Sequence, residues 1–215
     1  MTQIFLATTN SAKLDRLRWL VDGLGLSTVT QSDLEIHVAP HIAEDGADFT
    51  ENAKQKAVAW SRAAGNRLTL ATDGGLEIPA LGRSWDALRT RRNAGPESDG
   101  TEKIAHLLRL MRSLKGEARN SLWHEAIALA KDGSVLETWS DSGDGGKIVE
   151  TYVPGASDTT AFWTECIRYY PAVGKLYRDL LPAQLEALDT VWPRLREQVQ
   201  RYLRHYAATE GSSGI

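Results

Sequence analysis

A single cysteine, Cys166, occurs in 215 residues. No disulfide can therefore form within the chain, and the composition argues against a cysteine-based zinc site. That suits a reducing compartment. No stretch approaches the roughly 20 apolar residues that a membrane span needs. The opening MTQIFLATTN has neither the basic leader nor the apolar core of a signal peptide, so a cytoplasmic protein is expected. Charge of one sign is also lacking. With 25 Lys and Arg against 28 Asp and Glu, the formal net charge is −3, which excludes a whole-surface attraction for a nucleic acid polymer but not a local basic cleft. There is no internal repeat and no low-complexity linker. What is present is ordinary for a globular protein: 42% hydrophobic and 25% charged residues. The length predicts one large domain, or one domain with a lobe, over residues 1–208, followed by a flexible tail at 209–215. Seven tryptophans suit core packing, with one or two available to stack on a planar ligand.

Residues 4–8 form a short apolar run ending in small polar side chains, which predicts a buried strand. Asn10 and Ser11 can cap a following helix, which Gly23 and Gly25 close. Residues 27–30 read as a second strand and 34–48 as a loop. Phe49, Ala53, Ala57, Trp60 and Ala64 then repeat at helical spacing. Residues 68–71 predict a strand that ends in Thr72-Asp73-Gly74-Gly75, and residues 82–100 a long basic loop. A helix carries Ile104, Leu107, Leu108, Met111 and Leu114. Two strands, at 121–130 and 135–140, flank an Asp132-Gly133 turn. Gly143-Asp144-Gly145-Gly146 reads as another turn, and strands are expected in 147–152 and in part of 161–169. The last third is helical, kinked or restarted at Pro193. The pattern is α/β: a mixed central sheet with flanking helices and a second, hairpin-rich lobe.

Five places can carry chemistry. Thr8-Thr9-Asn10-Ser11-Ala12-Lys13 lies where a strand meets a helix, so unpaired amides, the helix dipole and Lys13 can cradle a phosphate. The same pattern also describes a plain N-cap. Asn52 and Lys56 share a helix face after Glu44, and Lys56 is either a phosphate-neutralising charge or a solvated lysine. Asp73, ahead of Gly74 and Gly75, suits close approach of a ligand or metal, or an ordinary turn. With Glu44 it offers hard oxygen ligands for Mg²⁺. Arg89, Arg91 and Arg92 form either a polyphosphate clamp or a solvated loop. Phe162, Trp163 and Glu165 suit either base stacking and hydrogen bonding or a core strand with one exposed acid.

Taken in order, these segments resemble the inosine triphosphate pyrophosphatase family, which removes non-standard purine nucleotides. Thr8-Thr9-Asn10-Ser11-Ala12-Lys13 matches the family's Thr-x-Asn-x-x-Lys. Glu44 precedes Phe49-Thr50-Glu51-Asn52-Ala53, and Lys56 follows, as in the family. Thr72-Asp73-Gly74-Gly75-Leu76 keeps the second acid of the family's acidic pair, with Thr72 in place of the first acid and Gly74 in place of a hydroxyl residue. Ala161-Phe162-Trp163-Thr164-Glu165-Cys166 stands for a Gly-Phe-Gly-aromatic-Asp-Pro segment without its glycines. The family's C-terminal Ser-His-Arg has no counterpart, His205 being the sole histidine in that region.

The resemblance implies a two-lobed α/β fold with a ligand cleft between the lobes, and a homodimer. It implies Mg²⁺-dependent hydrolysis of a nucleoside triphosphate, with a non-standard purine among the candidates, to the monophosphate and pyrophosphate. Asp73, Lys13 and Lys56 are the expected catalytic residues. Thr8, Asn10, Lys13, Asn52, Lys56, Gly74, Arg91, Phe162 and Glu165 are expected on the substrate, and Glu44 and Asp73 on the metal. The alternatives are a nucleotide-binding or sensing module with reduced catalysis, and a hydrolase of another phosphorylated metabolite.

Overall fold

The computed structural model describes residues 2–95, 97–154, 163–188 and 191–212. Seven strands form one sheet: β1 (Gln3–Leu6), β2 (Ser27–Val29), β3 (Thr69–Glu77), β4 (Asn120–Lys131), β5 (Ser134–Ile148), β6 (Arg168–Tyr170) and β7 (Lys175–Leu176), in the order β2-β1-β3-β4-β5-β6-β7. The helices are α1 (Ser11–Val21), α2 (Phe49–Ala63), α3 (Gly100–Leu110), α4 (Pro182–Ala187) and α5 (Val191–Ser212). The sheet is mixed. β1 runs parallel to β2 and β3, while β6 is antiparallel to β5 and β7.

Two compact units divide the chain. The first comprises the segment through Asp73, Glu125–Asp141 and the chain from Trp192 onward. Its α2 begins at Asp48, whose carboxylate accepts from Glu51 N at 2.8 Å. The apolar stripe of α2 buries Ala53, Ala57, Trp60 and Ala64 against Phe5, Ala7, Ala71, Ala126, Ala128 and Ala130. Small residues on the strands let the helix approach closely, and the Trp60 ring lies 5.4 Å from Phe5. α5 joins this unit through Gln200, whose amide donates to Leu20 O and Asp22 O at 3.1 and 3.0 Å and so satisfies the open end of α1.

The second unit comprises Gly74–His124 and Ser142–Val191. Its α3 has a full capping box between Asp99 and Glu102. Buried Arg119 donates to the carbonyls of Ile148, Met111 and Val149 and so ties three segments together. Buried Arg168 donates to Gly145 O at 2.6 Å and to the Tyr170 hydroxyl at 2.7 Å, with its guanidinium over the Trp123 and Tyr177 rings.

The structure differs from the sequence expectation in three places. Thr72-Asp73-Gly74-Gly75 does not end a strand, because β3 continues to Glu77. Gly143–Gly146 is not a turn and lies inside β5. Strand pairing carries both segments past the turn tendency of glycine, although Gly146 keeps a left-handed φ of 78°. Trp163–Cys166 is a helical turn, with the strand beginning only at Arg168. By contrast, Asp132 (φ 53°) and Gly133 (φ 68°) make the two-residue turn between β4 and β5. α5 itself spans Val191–Ser212. Pro193 sits in the first turn of α5, where a missing N–H costs nothing. Trp60, Trp85, Trp123, Trp163 and Trp192 are buried.

Candidate active site

The array centres on Asp73, on β3 in the first unit. Asp73 is nearly buried, and its two carboxylate oxygens are both engaged. Lys56 Nζ donates to Oδ1 at 2.5 Å, and Asn52 Nδ2 to Oδ2 at 3.1 Å. Both donors come from α2, and their spacing of four places them one turn apart on one face. Lys56 also pairs with Glu44 Oε1 at 2.8 Å, so one ammonium holds two carboxylates. Asn52 is oriented from its other side, because Gly46 N donates to its Oδ1 at 2.9 Å. A Cβ at Gly46 would lie 2.8 Å from that oxygen, so only glycine fits here. Glu44 has a φ of 49°, a left-handed conformation that is uncommon outside glycine. The loop before α2 thus accepts local strain where it delivers a carboxylate.

On the other side of Asp73 lies a contact that no motif predicted. Thr72 and Asp73 are adjacent in β3, so their side chains leave on opposite faces. The Thr72 hydroxyl donates to Glu125 Oε1 on β4 and, at 3.0 Å, to Ala126 O. Glu125 is 1% exposed and Thr72 3%. The only hint in the sequence was one acid directly ahead of the apolar run Ala126–Ala130.

At the start of α1, Asn10 is the N-cap. Its Oδ1 accepts from Lys13 N at 3.2 Å, and its own N–H donates to Thr8 Oγ1 at 3.1 Å. Ala7 N donates to Leu70 O at 2.9 Å, so this junction and the Thr72-Asp73 stretch lie at the same end of the paired strands β1 and β3. The cap and the phosphate cradle are therefore compatible descriptions of one structure.

Glu44, Asn52, Lys56 and Asp73 are brought together, and Thr8, Asn10 and Lys13 are grouped at the head of α1. Gly74 continues β3 directly after Asp73. Arg91 is an exposed residue of the second unit, near Lys103. Burial, followed by the Arg91 charge, lowers the Lys103 pKa below the ordinary lysine value. Glu165 is half-buried in the Trp163–Cys166 turn. Phe162 lies outside the described residues.

The Ham1 family model matches residues 4–156. The chain belongs to the Ham1 family. The dITP/XTP pyrophosphatase of Geobacillus kaustophilus is 31% identical over 208 residues, covering 91% of this chain and 96% of that protein. A dITP/XTP pyrophosphatase of Thermus thermophilus is 33% identical over 194 residues, covering 84% of this chain and 91% of that protein. A HAM1 protein structure from Coxiella burnetii superposes with a TM-score of 0.71 at 26% identity, over 97% of this chain and all of that one. The Ham1 match thus spans the Asp73 array and the α1 junction alike. Ham1 enzymes are in general metal-dependent hydrolases.

The residues present suit a hard divalent cation in kind. Two carboxylates already converge on one positive charge. Among the described residues no three or more His, Cys, Asp or Glu side chains gather to hold a metal. A cation here would complete its shell with phosphate and water oxygens, which is the habit of Mg²⁺. No helix among the described residues is long and apolar enough to cross a membrane.

Proposed function

We propose that the chain hydrolyses a nucleoside triphosphate to the monophosphate and pyrophosphate, with non-standard purine nucleotides as the substrate class and Mg²⁺ as the cofactor. The observation that carries this reading is the Glu44–Lys56–Asp73–Asn52 array, in a chain whose relatives over most of its length are named dITP/XTP pyrophosphatases. In this reading water adds to the α-phosphorus and the bridging oxygen departs with pyrophosphate.

Glu44 and Asp73 would hold the cation, and a bound Mg²⁺ polarises phosphate oxygens. Lys56 already pairs with both acids, and its single charge leaves the trio net negative. With a cation held by those two acids, the Lys56 ammonium would be available to the polyphosphate. Lys13 and the capped amides of α1 offset charge on the same oxygens, with Thr8 and Asn10 shaping the turn. Asp73 then orients the attacking water, and Asn52 keeps its carboxylate from rotating. Gly74 allows close approach. Arg91, Phe162 and Glu165 stay assigned to the substrate on sequence order alone. A cytoplasmic homodimer completes the reading, by resemblance.

Pyrophosphate release with Mg²⁺ across standard and deaminated nucleoside triphosphates tests it, with Asp73→Asn as control. We expect release from at least one nucleotide, lost in the variant. Thr72, which stands where the resemblance places an acid, motivates a second reading as a nucleotide-binding module. Thermal stabilisation by a nucleotide without release would favour it.

A further inference from the structure

The acid missing at position 72 has a replacement in space. The resemblance places a carboxylate on β3 immediately before Asp73, and the chain has Thr72 there. The structure brings the carboxylate of Glu125 onto that threonine's hydroxyl from the neighbouring strand β4. Both residues are buried, in the same unit as Asp73. We propose that Glu125 is the relocated second acid of the site, carried on β4 instead of β3. This rests on the pyrophosphohydrolase reading above.

Two observations favour a functional acid over a packing residue. Burying a carboxylate is expensive, and a position that only fills space is better served by an apolar side chain. The strand around it is otherwise of that kind: Ala126, Ile127, Ala128, Leu129 and Ala130 are all fully buried. The placement is also specific, since Glu125 meets the one hydroxyl whose backbone neighbour is Asp73.

Glu125 is a positioning residue and not a direct ligand. Ala126 and Ala128 pack with α2 on the Asp73 side of the sheet, so Thr72 and Glu125 lie on the opposite face. Consistent with this, no three acids gather around one point among the described residues. Glu125 acts from behind. An ionised Glu125 would place its charge in a low-dielectric interior, where electrostatic influence carries further than in water. Through Thr72 it holds the stretch of β3 that presents Asp73. That field would add to those of Glu44 and Asp73 on a cation, and Thr72 lies toward the end of the sheet where α1 and Lys13 begin.

The test uses the full-length protein and three variants: Glu125→Gln, Thr72→Asp with Glu125→Gln, and Thr72→Asp alone. Mn²⁺ affinity is read from the free-ion electron paramagnetic resonance signal, pyrophosphate release gives kcat and KM, and urea unfolding checks the fold. Glu125→Gln keeps an oxygen for the Thr72 hydroxyl and replaces the acid with a neutral amide. It should weaken Mn²⁺ binding and lower kcat by about 10-fold or more, the scale for outer-layer partners of a metal site. The double variant returns an acid to β3 and should recover most of both losses. Thr72→Asp alone sets two carboxylates against each other and should be the least stable of the three.

Glu125→Gln with Mn²⁺ affinity and kcat near wild type overturns the proposal. So does a loss that the double variant does not recover, because that loss is structural. Wild-type protein that binds Mn²⁺ but releases no pyrophosphate overturns the pyrophosphohydrolase reading instead, and Glu125 is then judged on Mn²⁺ affinity alone. Wild-type protein that does not bind Mn²⁺ overturns both.

Discussion

Gly46 shows how one residue without a side chain holds four with them. Its N–H orients Asn52, Asn52 donates to Asp73, and Asp73 shares Lys56 with Glu44. Gly46→Ala would force its new methyl against Asn52 Oδ1 and the Cβ of Glu51. Overpacking of this kind costs about 1–3 kcal/mol. The displaced carboxylate should lower kcat/KM by on the order of 100-fold, the scale of a misplacement near 1 Å. Steady-state kinetics and urea unfolding read the two effects separately, and unchanged kcat/KM would show that the Asn52 relay is idle. Neither Gly46 nor Glu125 was legible as a site residue. Gly46 carries no chemistry of its own, and Thr72 and Glu125 are 53 positions apart in the chain. Glu44, Asn52, Lys56 and Asp73 were legible because their types and order follow a motif, though only folding revealed that a single lysine pairs with both acids.

At the scale of the element, α2 decides the site, since it delivers Asn52 and Lys56 together while burying Ala53, Ala57 and Trp60 on the sheet. Its start depends on the Asp48 carboxylate at Glu51 N. Asp48→Ala should cost about 1 kcal/mol in chemical unfolding. Activity of the folded fraction should stay near wild type, because the packed face and not the cap sets the register of Lys56. A loss of kcat beyond the loss of folded protein would mean the cap also places the catalytic face. The periodicity of α2 and the two-residue turn at Asp132-Gly133 could be read locally, as their signals lie within a few residues. β3 could not. Its Asp-Gly-Gly looks like a strand end, and only pairing with neighbours remote in the chain keeps it extended through Glu77.

At the scale of the whole molecule, the first unit is assembled from three stretches of chain, so a ligand bound at the proposed site should stabilise segments distant in the sequence. A non-hydrolysable triphosphate analogue with Mg²⁺, at about 100 times its dissociation constant, should add about 2.7 kcal/mol to unfolding. For a chain of this size that raises the melting temperature by roughly 5–10 °C. The order of shifts across nucleotide bases should follow the order of kcat/KM, and equal shifts for every base would mean that the site holds phosphate without reading the base. The sequence by itself determined the α/β class, the main helices, the β4–β5 turn and the identity of Glu44, Asn52, Lys56 and Asp73. Each of these rests on local periodicity, turn chemistry or the spacing of a motif. Only the tertiary structure decided that Asp73 stands within a continuous strand, that Glu44 and Asp73 share Lys56, and that Glu125 meets Thr72. Those are contacts between segments distant in the chain, set by strand pairing and by the burial of polar groups that must find partners.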